Sequence, residues 1–146
     1  MKSLFEPEAY SEIKNRIDVL SENSERQWGK MSIGQMLKHC QEPLNLALEK
    51  EKVKKQFFPL AFLFKKMLYN DKPWKQNLPT AKSFKISDNR DFETEKNELK
   101  KLIAEFHAKK KQKQWEPHPI FGKFTPQQWG QMQYKHLDHH LKQFGV

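Results

Sequence analysis

At 146 residues, 36% of them hydrophobic and with 11 Phe, 4 Trp and 3 Tyr, the chain can fill one core without disulfide staples, and its length disfavours an enzyme of two separate lobes. The lone Cys40 excludes a disulfide scaffold and any multi-thiolate zinc-finger or iron–sulfur site, and it fits a reducing compartment. The 27 Lys and Arg against 18 Asp and Glu give +9, which attracts polyanions in general; only Arg16, Arg26 and Arg90 are Arg, however, and sequence-specific DNA reading relies on bidentate Arg contacts to guanine.

Only Leu4 and Phe5 are apolar between Lys2 and Pro7, so no secretory leader is expected and the expected location is cytoplasmic. Tyr10, Ile13, Ile17 and Leu20 recur at helical spacing and predict a first helix over residues 7–20, opened by Pro7. After a polar run, Ser32 and Gln35 form a capping-box pattern and predict a second helix over residues 32–50. Its apolar arc is Ile33, Met36, Leu37, Cys40, Leu44, Ala47 and Leu48, with a bend expected at Pro43. Pro59 is expected to open a short helix through Leu68. The apolar stretch over residues 57–69 is shorter than the roughly 20 residues of a membrane span and contains Lys65 and Lys66, so no span is expected.

Residues 70–89 contain Pro73 and Pro79 without helical period, and read as a long connection that either crosses the domain or covers a site. Asp91, Glu93 and Glu95 ahead of Leu99, Leu102, Ile103 and Phe106 predict a third principal helix over residues 91–111, its lysine-rich end suited to the helix dipole. Residues 115–123, with Pro117, Pro119 and Gly122, read as a loop. Thr125, Pro126 and Gln128 start a last helix that runs to Phe144 and stops at Gly145. Nothing alternates long enough to require a strand, so the expected architecture is all-α: one domain over residues 1–146, with four principal helices packed as a bundle.

Three of six histidines fall in the last helix. At about 100° per residue, His136 and His140 lie roughly 40° apart and one turn apart, so both imidazoles can address one atom. Trp129, Met132 and Gln143 share their face, whereas His139 borders the polar arc and is expected to face solvent. His39, about two turns into the second helix at the margin of its apolar arc, is the best third ligand or else an interfacial histidine. His107, among lysines, and His118, in the Pro-rich loop, read first as surface residues, although a loop histidine can reach a site.

The segment from Trp28 through Gly29, Met31, Gln35 and Leu37 to His39, and the segment His136-Leu137-Asp138-His139-His140-Leu141-Lys142-Gln143, resemble the second-helix and last-helix signatures of the DinB/YfiT-like metalloenzyme superfamily. His118-Pro119-Ile120-Phe121-Gly122, Thr125-Pro126-Gln127-Gln128-Trp129-Gly130 and the terminal Gln143-Phe144-Gly145 are similar to an uncharacterised bacterial branch of it. The resemblance implies a four-helix bundle with a long crossover between the second and third principal helices, dimers, and a divalent metal held by His39, His136 and His140. Many relatives carry Arg-Gly where Leu141-Lys142 stands here, so a guanidinium able to anchor a carboxylate is missing.

Three neutral imidazoles leave a divalent ion its full charge and an open position, which suits Zn²⁺ or Ni²⁺ and the activation of water or of a low-molecular-weight thiol cosubstrate. The resemblance therefore implies a small-molecule enzyme, hydrolase-like or a thiol-dependent transferase or isomerase. Glu42, one turn beyond His39, is a candidate to orient a ligand or accept a proton, and Gln143 a candidate to hydrogen-bond a ligand or substrate. Cys40 reads as a packing thiol, and the four Trp as core or loop packing, with Trp129 as a candidate pocket wall. The rival readings are a basic helical bundle that binds nucleic acid weakly through lysines and a metal-binding structural protein without turnover. Residues 57–69 also offer an apolar face for a homodimer.

Overall fold

The computed structural model describes residues 1–55, 61–80 and 82–146. Among these, the regular structure is five α-helices and two short 3-10 turns, with no strand beyond a single antiparallel bridge between His118 and Gly122. Helix α1 (Pro7–Val19) has proline in its first turn and buries Ile13 and Ile17 as predicted, with Leu20 just beyond it; Ala9 is buried as well, whereas Tyr10 of the predicted face is half-buried. Helix α2 (Ile33–Ala47) starts at a complete capping box: the Ser32 hydroxyl accepts from Gln35 N, and the Gln35 side chain accepts from Ser32 N at 2.9 Å.

Pro43 lies inside α2 without ending it. Its carbonyl accepts from Gln133 Nε2 at 2.8 Å, a contact that fastens this part of the helix to the last one. The helix stops at Ala47 rather than at the predicted residue 50, because Glu49 turns into the left-handed region at φ 57°, and the amides of Glu49 and Lys50 donate back to the Leu46 and Asn45 carbonyls. That pair of bonds is a Schellman closure, usually made with Gly at the left-handed position.

Helix α3 (Ala61–Lys65) continues into a 3-10 turn over Lys66–Leu68 and leaves Phe62 and Leu63 exposed. Pro59 and Leu60, expected to open this helix, lie outside the described residues. Helix α4 (Phe92–Ala108) is capped by Asp91, whose carboxylate accepts from Thr94 N at 2.8 Å. Helix α5 (Pro126–Gln143) repeats the capping box with Thr125 and Gln128 and ends where Gly145, at φ 78°, returns its amide to the Lys142 carbonyl.

Helix α2 packs against both α4 and α5, and α1 touches the same two helices. The shared core includes Ile13, Ile17, Met36, Leu37, Leu44, Leu99, Leu102, Ile103, Phe106, Trp129 and Leu137. Arg16 ties α1 to the end of α5, donating to the Asp138 carboxylate at 2.8 Å and to the Val146 carbonyl at 2.9 Å. His107, predicted as a surface residue, is a clasp between α4 and the N-terminal segment: its Nδ1 meets the Leu4 carbonyl at 2.8 Å and its ring stacks on Tyr10.

The start of α2 is crossed by residues 88–90. Gln35 Nε2 donates to the Asp88 carbonyl at 3.1 Å, and a Cβ on Gly34 would collide with the Arg90 carbonyl oxygen. In an open helix, Gly→Ala stabilises by roughly 0.5–1 kcal/mol. Here the obstructing atom is backbone, so overpacking of about 1–3 kcal/mol outweighs that gain. Gly34→Ala should therefore lower stability in urea or thermal unfolding, and an increase would show that this crossing yields freely.

Candidate metal centre

The α2–α5 contact brings His39 together with His136 and His140, whose ligand nitrogens all lie within 4.8 Å of one another. All three side chains are buried, and the Nε2 atoms of His39 and His136 stand 3.0 Å apart. The helical phase inferred for the i,i+4 pair is the one observed: ring centroids of His136 and His140 are 4.7 Å apart, and each lies within 4.9 Å of the His39 ring.

Hydrogen bonds at the outer nitrogens fix two of the three tautomers. His39 Nδ1 lies 2.9 Å from the Phe84 carbonyl, and His140 Nδ1 lies 2.8 Å from Gln143 Oε1. A carbonyl oxygen only accepts, so each Nδ1 carries the proton and each neutral ring keeps a bare Nε2. The Gln143 amide is oriented in turn, because its Nε2 donates to the Trp28 carbonyl at 2.8 Å. Gly29, at φ 83°, lets the chain pass so close that a Cβ there would collide with the same amide nitrogen.

Burial lowers the pKa of His39 despite the opposing Phe84 bond and Glu42 charge, and takes His140 down to about 3. It holds His136 well below 6.5, with the neighbouring histidines adding to the effect. Neutral imidazole is the form that ligates. The 3.0 Å contact otherwise requires His136 Nε2–H to donate to His39, leaving His136 Nδ1 buried and without a partner. Two nitrogens at this separation suit one ion at about 2.0–2.1 Å from each. The cluster could thus bind a metal ion, and carbonyl groups behind two of its rings supply the outer support usual for histidine ligands.

A cavity of about 550 Å³ opens over the cluster. Of the connection predicted either to cross the domain or to cover a site, Trp74, Leu78, Pro79, Thr80 and Phe84 line this cavity, so it covers the cluster. Lys135 of α5 anchors that cover, donating to the Met67 and Asn70 carbonyls at 2.6 and 2.9 Å, and Trp74 Nε1 donates to the same Met67 carbonyl. Among the described lining residues none is Asp, Glu, Lys or Arg.

The other candidates separate clearly. Glu42 is buried in an ion pair with Lys38 at 2.8 Å and is not among the lining residues. Gln143 acts on His140 from behind and likewise does not line the cavity. His139 is half-buried rather than solvent-facing: it lines the cavity between the rings of Trp28 and Trp74, each 5.6 Å away. Cys40 is a packing thiol whose S–H points at Met36 Sδ, and burial pushes its pKa up. Trp129 is core rather than pocket wall. His118, read first as a surface residue, is buried and lines the cavity, the alternative open to a loop histidine. The signals in the sequence are its position before Pro119 in an aromatic-rich turn and its place in a segment that carries the family resemblance.

Burial takes His118 down to about 4, with the Lys65 charge acting in the same direction. Because the folded values of His118 and His140 lie below the ordinary 6.5, the unfolded chain takes up protons first as pH falls. Their contribution to stability is complete above about pH 6.5 and is lost as pH falls toward 4 and 3, at up to about 1.4 kcal/mol per pH unit for each group. Metal-free protein should therefore melt several degrees lower at pH 5 than at pH 7.5 by circular dichroism. An unchanged melting temperature would mean that these rings are hydrated.

The family model described as Protein of unknown function (DUF1569) matches residues 3–145, and the chain belongs to that family. No curated protein and no solved structure matches it.

Proposed function

We propose that this member of the DUF1569 family is a divalent-metal enzyme acting on small, uncharged, largely apolar molecules, with Zn²⁺ or Ni²⁺ held by His39, His136 and His140. The observation that carries the reading is the convergence of three buried neutral imidazoles at an apolar cavity of about 550 Å³. In this reading the long helices form a four-helix bundle of DinB/YfiT-like kind in one domain, with the chain between α2 and α4 as the crossover. When bound, the ion would bring water to a pKa near 7 or hold a small thiol as thiolate, so the chemistry is hydrolase-like or a thiol-dependent transfer or isomerisation.

The chain's own residues then have distinct tasks. Phe84 O and Gln143 Oε1 hold the rings of His39 and His140 with Nε2 inward. Trp74, Leu78 and Pro79 give the cavity an apolar wall beside the cluster. Glu42, tied to Lys38, acts on His39 through its charge as a positioning residue and takes no proton from the substrate. The lack of a charged lining side chain among the described residues favours neutral substrates over carboxylates.

The test is turnover of Zn²⁺- and Ni²⁺-loaded protein against apolar esters, epoxides and thiol-conjugation acceptors, with chelated protein as control. Metal-dependent turnover of at least one apolar member is expected. Tight, salt-sensitive retention on DNA with no metal-dependent turnover would replace this reading with the nucleic-acid one.

A further inference from the structure

His118 is the cavity-lining histidine that comes from neither α2 nor α5. It sits in the connection between α4 and α5, in a turn closed twice: His118 N donates to the Gly122 carbonyl and Gly122 N to the His118 carbonyl, both at 2.9 Å. Within this turn the backbone amides of Ile120 and Phe121 both point at His118 Nδ1, at 3.1 and 3.3 Å. Two donors directed at one ring nitrogen require a lone pair there, so the proton of the neutral ring resides on Nε2. Flipping the ring would forfeit both bonds, and a protonated ring would set an N–H against two others. Phe121, Phe124 and Trp129 pack around the imidazole with centroids 5.0 to 6.0 Å away and hold its plane.

Nε2–H has no acceptor among the described residues, and it is not one of the sealed, unpartnered polar atoms. His118 lines the cavity and its Nδ1 is turned back into its own turn, so Nε2–H is the donor the ring has left to offer. In a wall that is apolar apart from Thr80 and the other histidines, a fixed donor favours a ligand that brings an acceptor and penalises one that does not, because the unmatched donor loses its water without replacement. We infer that His118 Nε2–H is the oxygen-recognition element of this cavity, selecting an apolar molecule with a neutral acceptor oxygen, such as a ketone, ester or amide carbonyl. The inference deepens the proposed function by naming its substrate class, and it rests on the cavity being the substrate site. His118 keeps its proton throughout; a neutral imidazole donor polarises and orients a carbonyl without transferring charge.

Acetophenone and α-methylstyrene provide the test, since they share shape and differ in C=O against C=CH₂. Both are titrated into the full chain, with and without Zn²⁺, and long-range ¹H–¹⁵N spectra of the histidine rings are recorded alongside. The expected results are tighter binding of acetophenone, an Nε2–H tautomer for His118 at neutral pH, and a shift of that ring proton on adding acetophenone but not α-methylstyrene. His118→Asn retains an acceptor oxygen near the place of Nδ1 while removing the donor at Nε2. It should weaken acetophenone roughly 3- to 10-fold and change α-methylstyrene less than 2-fold.

An Nδ1–H tautomer, failure of both compounds to bind, equal loss of both in the variant, or a preference that survives in His118→Asn would each overturn the assignment. Protein that binds no metal but keeps the His118-dependent preference would remove the metal reading alone. Stoichiometric metal binding without the preference would remove this inference alone.

Discussion

Single replacement of His39, His136 or His140 by Ala should abolish stoichiometric binding of Zn²⁺ or Ni²⁺, whereas His139→Ala should retain it. The three form one constellation across the α2–α5 contact, with nitrogens within 4.8 Å of one another, while His139 lies between Trp28 and Trp74. Losing one of three protein ligands leaves two, fewer than the set that holds a catalytic zinc. Gln143→Ala should give an intermediate result, because it removes only the acceptor behind His140; outer partners of this kind change affinity by about 10- to 100-fold. Metal content after gel filtration, read with far-ultraviolet circular dichroism to show that the helices persist, checks the whole series. Loss of metal in His139→Ala together with retention in His140→Ala would place the centre on the other side of α5.

Trp129→Ala should be the most damaging of the substitutions considered for stability, at about 3–5 kcal/mol, which for a chain of this length lowers the melting temperature by roughly 10 °C or more. Trp129 is 1% exposed and joins the helix core to the turn that carries His118, with ring centroids 5.2 Å from Phe124 and 6.0 Å from His118. Deleting it opens a void between those rings that the capped start of α5 cannot collapse to fill. Trp129→Phe should cost distinctly less, because it keeps most of the packing and removes an indole N–H that is buried without a partner. Equal losses in the two variants would show that the void closes by rearrangement.

The parts of this molecule legible in its sequence are those set by local chemistry. Ser32 with Gln35 and Thr125 with Gln128 mark two helix starts because hydroxyl and amide satisfy adjacent backbone groups within one turn. The inward phase of His136 and His140 follows from spacing alone, since Trp129, Met132 and Leu137 share their part of α5 and are buried with them. His39 was only a candidate until the α2–α5 contact existed, because a residue at the margin of an apolar arc can face either a core or a site.

What escaped the sequence depends on tertiary partners. Nothing in Glu49 announces a left-handed residue, so α2 stops short of its predicted end. The connection over residues 70–89 has no period, and which of its residues would wall the cavity is decided by Lys135 and by the Met67 carbonyl that holds Trp74. Glu42 is a candidate from its spacing to His39 along the helix, yet its carboxylate is taken by Lys38, one turn back towards the start of α2. His118 looked superficial because it lies among Pro and Gly. Its burial comes from Phe121, Phe124 and Trp129 folding round the turn.

The most direct test of the central claim is diffraction from crystals of zinc-loaded protein at wavelengths on either side of the zinc edge. One anomalous peak is expected, bonded to Nε2 of His39, His136 and His140 at about 2.0–2.1 Å and facing the cavity. A peak held by His139, His118 or Glu42 instead, or no peak from protein incubated with stoichiometric zinc, would contradict it.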